Sequence, residues 1–493
     1  MGEIFKLSPD KLKTIRKQNP MLVSYNVEFA EVTGGTFWKA YTPEQIAGTE
    51  EYIPSSEKLS DAMQVYPPID LYNKRCRKLA KELGQAWIRV SGTWATKTYY
   101  DFENKTNGIV PEGYLNILTR EQWVGVLDFV KAVGGKLLVS VSNCEGVHKA
   151  DDPWSPKEAE KLFSFSQEYG CPIEAVEFTN EPNLMQSTGF PKGYTTEDFR
   201  RDHDIFAKWL RKNYPDCLLV GPSITAVGRT DGGVEQAAGA CDPHETVKGL
   251  KEKLDIFSYH CYTGLSARVG HLLPIACWKP EDAVSDTYLN IVADFAGFYG
   301  KMRDIYVPDA EMWVTETGDA GGGGNTWAST YLDVIRTLNE FGIFSQMTNG
   351  VLFHNTLASS AYGYLAHGTF LPRPSYFAAL LWTKLMGNTV YDTGVNNKEG
   401  IRVYAHSRKD EKDGVVYLII NNSVSEYAQI ELPKEAVKYS LSAQNRNMRS
   451  EGMCLNGMLL ELDVEDEVPK IHGVIENAGN VILEPLSCTF FVM

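Results

Sequence analysis

The chain has 493 residues, 48 Lys plus Arg against 63 Asp plus Glu, a formal charge of −15, 43% hydrophobic and 11% aromatic residues, and nine cysteines. That is enough for a large domain with a smaller one attached, and no apolar run approaches the ~18 residues of a membrane span, so the sequence reads as soluble and globular. The acidic balance argues against nucleic acid or an anionic membrane as partner, since either would need a basic face to release counterions.

From the N-terminus, Met1 to Pro20 is polar and lacks the charged head and apolar stretch of a signal peptide. The chain as it stands therefore reads as cytoplasmic, or as secreted or periplasmic if a signal has been removed. Short apolar, β-branched or aromatic runs then alternate with longer amphipathic ones. Eight strands are expected: 22–29, 86–91, 136–142, 173–179, 218–223, 254–259, 311–315 and 350–355. Helical patterns lie between them, for example at 71–83, 121–133, 156–169, 197–212 and 327–341. A last helix follows Pro372-Arg373-Pro374, places Phe377, Leu380, Leu381 and Leu385 on one face, and is expected to exit at Gly387. The basic run Lys74, Arg75, Arg77, Lys78 and Lys81 has helical spacing and reads as a solvated face.

Eight strand-then-helix units predict an α/β fold, a (β/α)8 TIM barrel over 18–387, with a doubly wound open sheet as the alternative. Beyond Gly387 the pattern changes to strands joined by turns, at 390–396, 401–406, 415–421, 428–432, 439–443, 458–462 and 488–492. This predicts a C-terminal antiparallel β-sandwich over 388–493, joined by an edge strand from residues 1–17. Cysteines scattered from Cys76 to Cys488 without a CxxC pair argue for reduced, buried thiols over a disulfide scaffold or zinc ribbon.

In a barrel the chemistry sits where strands end. The fourth strand runs into Thr179-Asn180-Glu181-Pro182-Asn183 and the seventh into Thr315-Glu316-Thr317-Gly318, so each delivers a glutamate to the same rim. Paired carboxyls across a bowl are what glycoside hydrolysis requires, one to protonate the leaving oxygen and one to act at the anomeric carbon. Taken singly, Glu181 is equally a residue of an Asx-Pro turn and Glu316 the start of a loop; the pairing carries the signal. The run Gly318-Asp319-Ala320-Gly321-Gly322-Gly323-Gly324 lacks the lysine of a phosphate-binding loop. Its amides could form an anion nest, or the run is a flexible entry to the next helix. No two histidines have metal-ligand spacing with carboxylates, so neither a catalytic metal nor another cofactor is expected.

These residues carry a resemblance. The Asn180-Glu181 dyad and Glu316 look like clan A of the retaining glycoside hydrolases. Finer matches resemble family 79, the heparanase and β-glucuronidase group: Trp87-Ile88-Arg89-Val90-Ser91-Gly92-Thr93 with Tyr100-Asp101-Phe102, and Asp255-Ile256-Phe257-Ser258-Tyr259-His260-Cys261-Tyr262. Glu316-Thr317 running into Gly321 to Gly324, Cys454-Leu455-Asn456-Gly457-Met458 and the ending Phe490-Phe491-Val492-Met493 extend it over nearly the whole chain.

The resemblance implies Glu181 as acid/base and Glu316 as nucleophile; Asn180 reads as partner of the sugar 2-hydroxyl, where hydrogen bonding strengthens in the transition state, with a simple turn cap as the alternative. It implies a glucuronate carboxylate held by amides of Gly322 and Gly323, helped by Tyr362 or Tyr364. Glu28 resembles a hydroxyl-binding carboxylate of bacterial members, with a salt-bridged rim residue as the plain alternative. Tyr259, His260 and Tyr262 would donate to the nucleophile or line the pocket, and the aromatics of Thr33 to Trp38 would wall it. Where animal heparanases carry a tyrosine before the glycines, this chain has Gly321. The long excised segment of heparanase proenzymes has no counterpart between Ser91 and Arg120, so a single-chain enzyme is expected. The expected function is a retaining exo-β-glucuronidase acting on a glucuronide or uronate-containing glycan. Another sugar or a modified uronate, heparanase-like endo action, or an inactive carbohydrate-binding barrel are the alternatives.

Overall fold

The computed structural model describes residues 4–395, 397, 400–410 and 412–493. Eight parallel strands close into a barrel: β1 (Val23–Glu28), β2 (Trp87–Ser91), β3 (Lys136–Ser140), β4 (Ala175–Glu177), β5 (Leu218–Ile224), β6 (Ile256–Tyr262), β7 (Glu311–Gly318) and β8 (Leu352–His354). Neighbours follow chain order around the ring, β8 pairing with β1 and β5 with β6. The open-sheet alternative is thereby ruled out.

Outside lie α1 (Lys74–Glu82), α2 (Arg120–Val133), α3 (Lys157–Glu168), α4 (Thr196–Asn213), α5 (Asp286–Tyr306), α6 (Leu332–Met347) and α7 (Pro374–Leu385). Helix α2 shows why the sequence folds so. Thr119 and Gln122 form a reciprocal capping box, Trp123, Val126, Leu127 and Val130 repeat at helical spacing on the buried face, and left-handed Gly134 ends it.

Three expectations are corrected. The fifth unit holds only the short helix His244–Val247 instead of a full crossover helix. The last helix ends at Leu385, and Gly387 lies inside the strand Met386–Asp392, which pairs with the following strand against Ser407 and Arg408. The basic face of α1 is not simply solvated: Arg75 and Lys78 pair with Asp466 and Glu467 of the C-terminal region at 2.7 and 2.5 Å.

That region is antiparallel. Its larger sheet runs through Met386–Asp392, Ile401–Arg408, Val415–Asn421, Ser487–Val492, Ala436–Ala443 and Met453–Leu455, and a smaller one joins Ala428–Leu432 to Gly479–Leu483. Both early strands enlist here, Lys13–Lys17 beside Met386–Asp392 and Ile4–Lys6 beside Ala428–Leu432. The expected strand end at Asn396 and residues 1–3 lie outside the described residues. All nine cysteines are free, six of them buried. Among the described residues no helix is long and apolar enough to cross a membrane.

The barrel interior is layered by strand alternation, because successive side chains point to opposite faces. Trp87, Leu138, Ala175, Val220, Ile256, Trp313 and Phe353 form an apolar base. Two residues further along β2 and β4 come Arg89 and Glu177, fully buried and paired at 2.6 Å, so the layer above the base is polar.

Candidate active site

The rim above that polar layer brings Glu181, His260 and Glu316 together. Glu181 follows β4 in a left-handed conformation (φ 46°), its N–H donating to the carbonyl of Ser223 at 3.1 Å. Asn183 locks the next turn to β5 by exchanging hydrogen bonds with the backbone of Thr225 at 2.8 and 3.0 Å. Ser223, itself left-handed, is an extra residue in the β5–β6 register, and its hydroxyl contacts Glu177. On β7 the register against β6 slips between Val314 and Glu316, which leaves Thr315 unmatched and sets Glu316 directly opposite His260. Both glutamates thus stand beside register shifts, which re-aim side chains where a regular ladder cannot.

Glu316 is 5% exposed and has donors on both oxygens. Arg89 donates to Oε1 at 2.9 Å and the Tyr262 hydroxyl to Oε2 at 2.6 Å, while His260 Nδ1 stands 3.5 Å from Oε2. Burial by itself disfavours the carboxylate. His260, Arg89 and the Tyr262 hydrogen bond outweigh it and hold the Glu316 carboxyl below its ordinary range. Tyr262 is the converse: burial and then the Glu316 charge push its phenol well up, so it keeps its proton to donate.

The same Arg89 reaches Asn180 Oδ1 at 2.7 Å, which orients that amide with its NH2 group away from the guanidinium. His260 Nδ1 lies 3.0 Å from Glu181 Oε1. Asn355 donates to Tyr262 at 2.9 Å and Tyr362 at 3.2 Å and accepts from Asn26 at 3.1 Å, tying both tyrosines to β1. Glu28, at the end of β1, is buried. Its carboxyl is raised well above the ordinary range by burial first and the Glu316 charge second, against the pull of Arg89. Gly92 (φ +102°) makes room for it, since a Cβ there would stand 1.9 Å from Glu28 Oε2.

The glycine-rich run forms a wall beside these groups. All four of its carbonyls are engaged: Gly321 by Ser266 N–H, Gly322 by the Ser266 hydroxyl and Arg268, Gly323 by Ala361 N–H, and Gly324 by Arg268 and Tyr41. The N–H groups of Gly322 and Gly323 find no acceptor among the described residues. Both glycines are left-handed, and a Cβ on Gly323 would stand 2.6 Å from Trp38, so only glycine fits and Trp38 closes this side.

Tyr362, stacked 6.5 Å from Tyr262, belongs to this constellation. Tyr364 does not. It stacks on His354 at 3.7 Å, fully buried, and feels the charges of Glu340, Arg336 and Asp333 of α6 instead of those of the rim. The segment after β8 is a series of turns with Ser360 left-handed, so two tyrosines spaced by two part company. Tyr259 likewise faces the helices, stacked 4.6 Å from Tyr299. Arg89, Asn355 and Asn26 were not expected as site residues. The signal for Arg89 was there, because Trp87-Ile88-Arg89-Val90-Ser91 alternates and puts the arginine inside the barrel.

Glu181, His260 and Glu316 each offer a donor atom within 4.8 Å of the others, so this cluster is where a metal ion would sit among the described residues. The guanidinium and phenol already on both Glu316 oxygens compete with that use and hold the carboxylate ionised.

No family model matches the chain. It is 24% identical over 481 residues to heparanase-like protein 1 of Arabidopsis thaliana, covering 86% of this chain and 85% of that one. It is 23% identical over 459 residues to the baicalin β-D-glucuronidase of Scutellaria baicalensis, covering 86% and 83%. The chain is a glycoside hydrolase that resembles the heparanase-like proteins and plant β-glucuronidases. A 4-O-α-L-rhamnosyl-β-D-glucuronidase from Fusarium oxysporum 12S matches the enzyme's fold with a TM-score of 0.64 at 14% identity, covering all of both chains. The enzyme resembles family 79, folds as a TIM barrel and acts on a carbohydrate.

Proposed function

We propose that the enzyme is a retaining exo-acting β-glucuronidase that releases a terminal β-linked glucuronic acid by double displacement. The observation that carries this is the pair Glu181 and Glu316, with carboxylate oxygens within 4.8 Å of each other and Glu316 held ionised. Carboxyls about 5 to 5.5 Å apart serve retention, whereas inversion needs about 6.5 to 9.5 Å to admit a water.

In the first step Glu181 gives its proton to the glycosidic oxygen as Glu316 attacks the anomeric carbon. The aglycone leaves and a glycosyl ester forms on Glu316. In the second step Glu181, now a carboxylate, takes a proton from water, which attacks the same carbon and frees Glu316. Asn180 faces the sugar 2-hydroxyl with its NH2 group. Glu28, raised toward its neutral form, can donate to a sugar oxygen as well as accept. The free amides of Gly322 and Gly323, with Tyr362, receive the sugar carboxylate. In place of the tyrosine before the glycines, Gly321 leaves Tyr262 and Leu265 as that wall's nearest side chains.

The acidic total favours a small terminal sugar over a long polyanion along a groove. The likeness to heparanase-like protein 1 favours a second reading, endo action on a uronate-containing glycan. The strand pairings support a division near residue 387, with the N-terminal strands counted with the C-terminal sandwich. The test compares nitrophenyl β-glucuronide with neutral nitrophenyl β-glycosides and with heparan sulfate. Release of nitrophenol from the glucuronide alone is expected; turnover of neutral sugars only, or shortening of the polymer without that release, would overturn the exo-glucuronidase reading.

A further inference from the structure

Arg268 is a buried cation without a buried anion. It is 2% exposed, yet no carboxylate lies within ion-pair distance of its guanidinium among the described residues, whereas Arg89, Arg336 and Arg402 each have at least one. Its partners are carbonyls: Gly324 at 2.7 Å, Gly322 at 3.3 Å and Lys39 at 2.5 Å. Its plane lies 3.7 Å over the Tyr41 ring, and its Nε has no partner. Burying a charge this way is costly unless something anionic is bound nearby for part of the working cycle.

Two of the carbonyls it holds, those of Gly322 and Gly324, belong to the loop whose middle amides are free. By drawing the Gly322 oxygen toward itself, Arg268 turns the N–H of Gly323, on the same trans peptide, the other way; Ser266 N–H does the same for Gly322 by holding the Gly321 oxygen, and the Gly324 contact anchors the end of the loop. Asp319, the carboxyl closest in sequence to this loop, is pushed up to about 7 by burial and by Asp333, so it does not offer a permanent counter-charge at neutral pH.

We propose that Arg268 is the specificity-determining positioning residue for an anionic sugar: it shapes the Gly322–Gly323 amides into a carboxylate receptor and supplies the counter-charge from beneath. This rests on the glucuronidase reading and gives this chain a source of acid selectivity where Gly321 replaces the tyrosine. The ligand class is a monosaccharide carboxylate; Arg268 acts through the loop and need not touch it. A lysine would keep the charge but lose the fork that grips two carbonyls at once.

The test uses the whole enzyme, R268Q and R268K, with nitrophenyl β-glucuronide and nitrophenyl β-glucoside as substrates, free glucuronate as binding probe, and thermal melting as a control of folding. R268Q is expected to weaken glucuronate binding and raise KM for the glucuronide by about tenfold or more, with a much smaller change in kcat. The ratio of glucuronide to glucoside kcat/KM should fall by the same factor, and R268K should lie between. Equal losses on both sugars, or unchanged glucuronate affinity in R268Q, would overturn the proposal. Should R268Q fail to fold, R268K decides, since an unchanged sugar ratio there would also overturn it. The wild-type arm is separate: no preference of the wild type for the anionic sugar sinks the glucuronidase reading and the role of Arg268 with it. A wild-type preference that survives R268Q sinks only the latter.

Discussion

The two ends of the barrel interior are built from the same strands and do opposite things. At the base, Trp87, Trp313 and Phe353 fill the cylinder with aromatic rings, the two tryptophans 4.9 Å apart. Two or three residues nearer the rim, the strands carry Arg89, Glu177 and Glu316 into an equally dry space. The base gains from every buried carbon. The rim gives up part of that gain to keep a carboxylate ionised where water would otherwise screen it. One strand thus serves stability at its start and chemistry at its end, so substitutions on it should separate the two by position.

The largest effect should come from Glu316→Gln, which removes the oxygen proposed to attack but keeps the shape. Activity on an activated glycoside should fall by about a thousandfold or more with the melting temperature nearly unchanged. Glu181→Ala should lose most activity and regain part of it with azide and a good leaving group; near-normal turnover would remove Glu181 from the acid/base role. Arg89→Met strikes both functions, because it leaves Glu177 and Glu316 buried without their cation. A loss of about 3 to 5 kcal/mol in denaturant unfolding is expected, together with a fall in kcat.

At the base, Trp313→Ala should cost a similar 3 to 5 kcal/mol, about the usual figure for deleting a buried aromatic, while kcat of the folded enzyme changes little. If its kcat falls as far as that of Arg89→Met, the separation of base from rim is wrong. The smallest effect is Tyr262→Phe. The hydroxyl helps hold the Glu316 carboxyl down, so its loss raises that carboxyl. Because the nucleophile must be ionised, the acid limb of the kcat/KM profile should move to higher pH; no movement, or movement to lower pH, would contradict the assignment.

The same contrast explains what the sequence made visible. Barrel strands are buried on both faces, so they read as compact apolar runs, and all eight surface in the pattern. The C-terminal sheet was legible where strands are long, as at Val415–Asn421, and not where they shrink to Met453–Leu455 or Val474–Glu476. Glu181 and Glu316 stood out because polar residues closed apolar strands in two matching units. Arg89 was hidden by the opposite circumstance: it sits inside a strand, where a charge is read as an exception until its alternation with Trp87 and Ser91 is followed. Tyr362 and Tyr364 could not be told apart, because the turns after β8 obey no period. Arg268 had no sequence signal at all, since its meaning lies in two carbonyls of a loop more than fifty residues away.

The central claim is double displacement on Glu316 at a terminal β-glucuronide, and proton NMR of the first-formed sugar tests it most directly. With nitrophenyl β-glucuronide as substrate, the anomeric signal should emerge as β-glucuronic acid and only later drift toward the equilibrium mixture. An α-anomer emerging first would mean inversion and contradict the account.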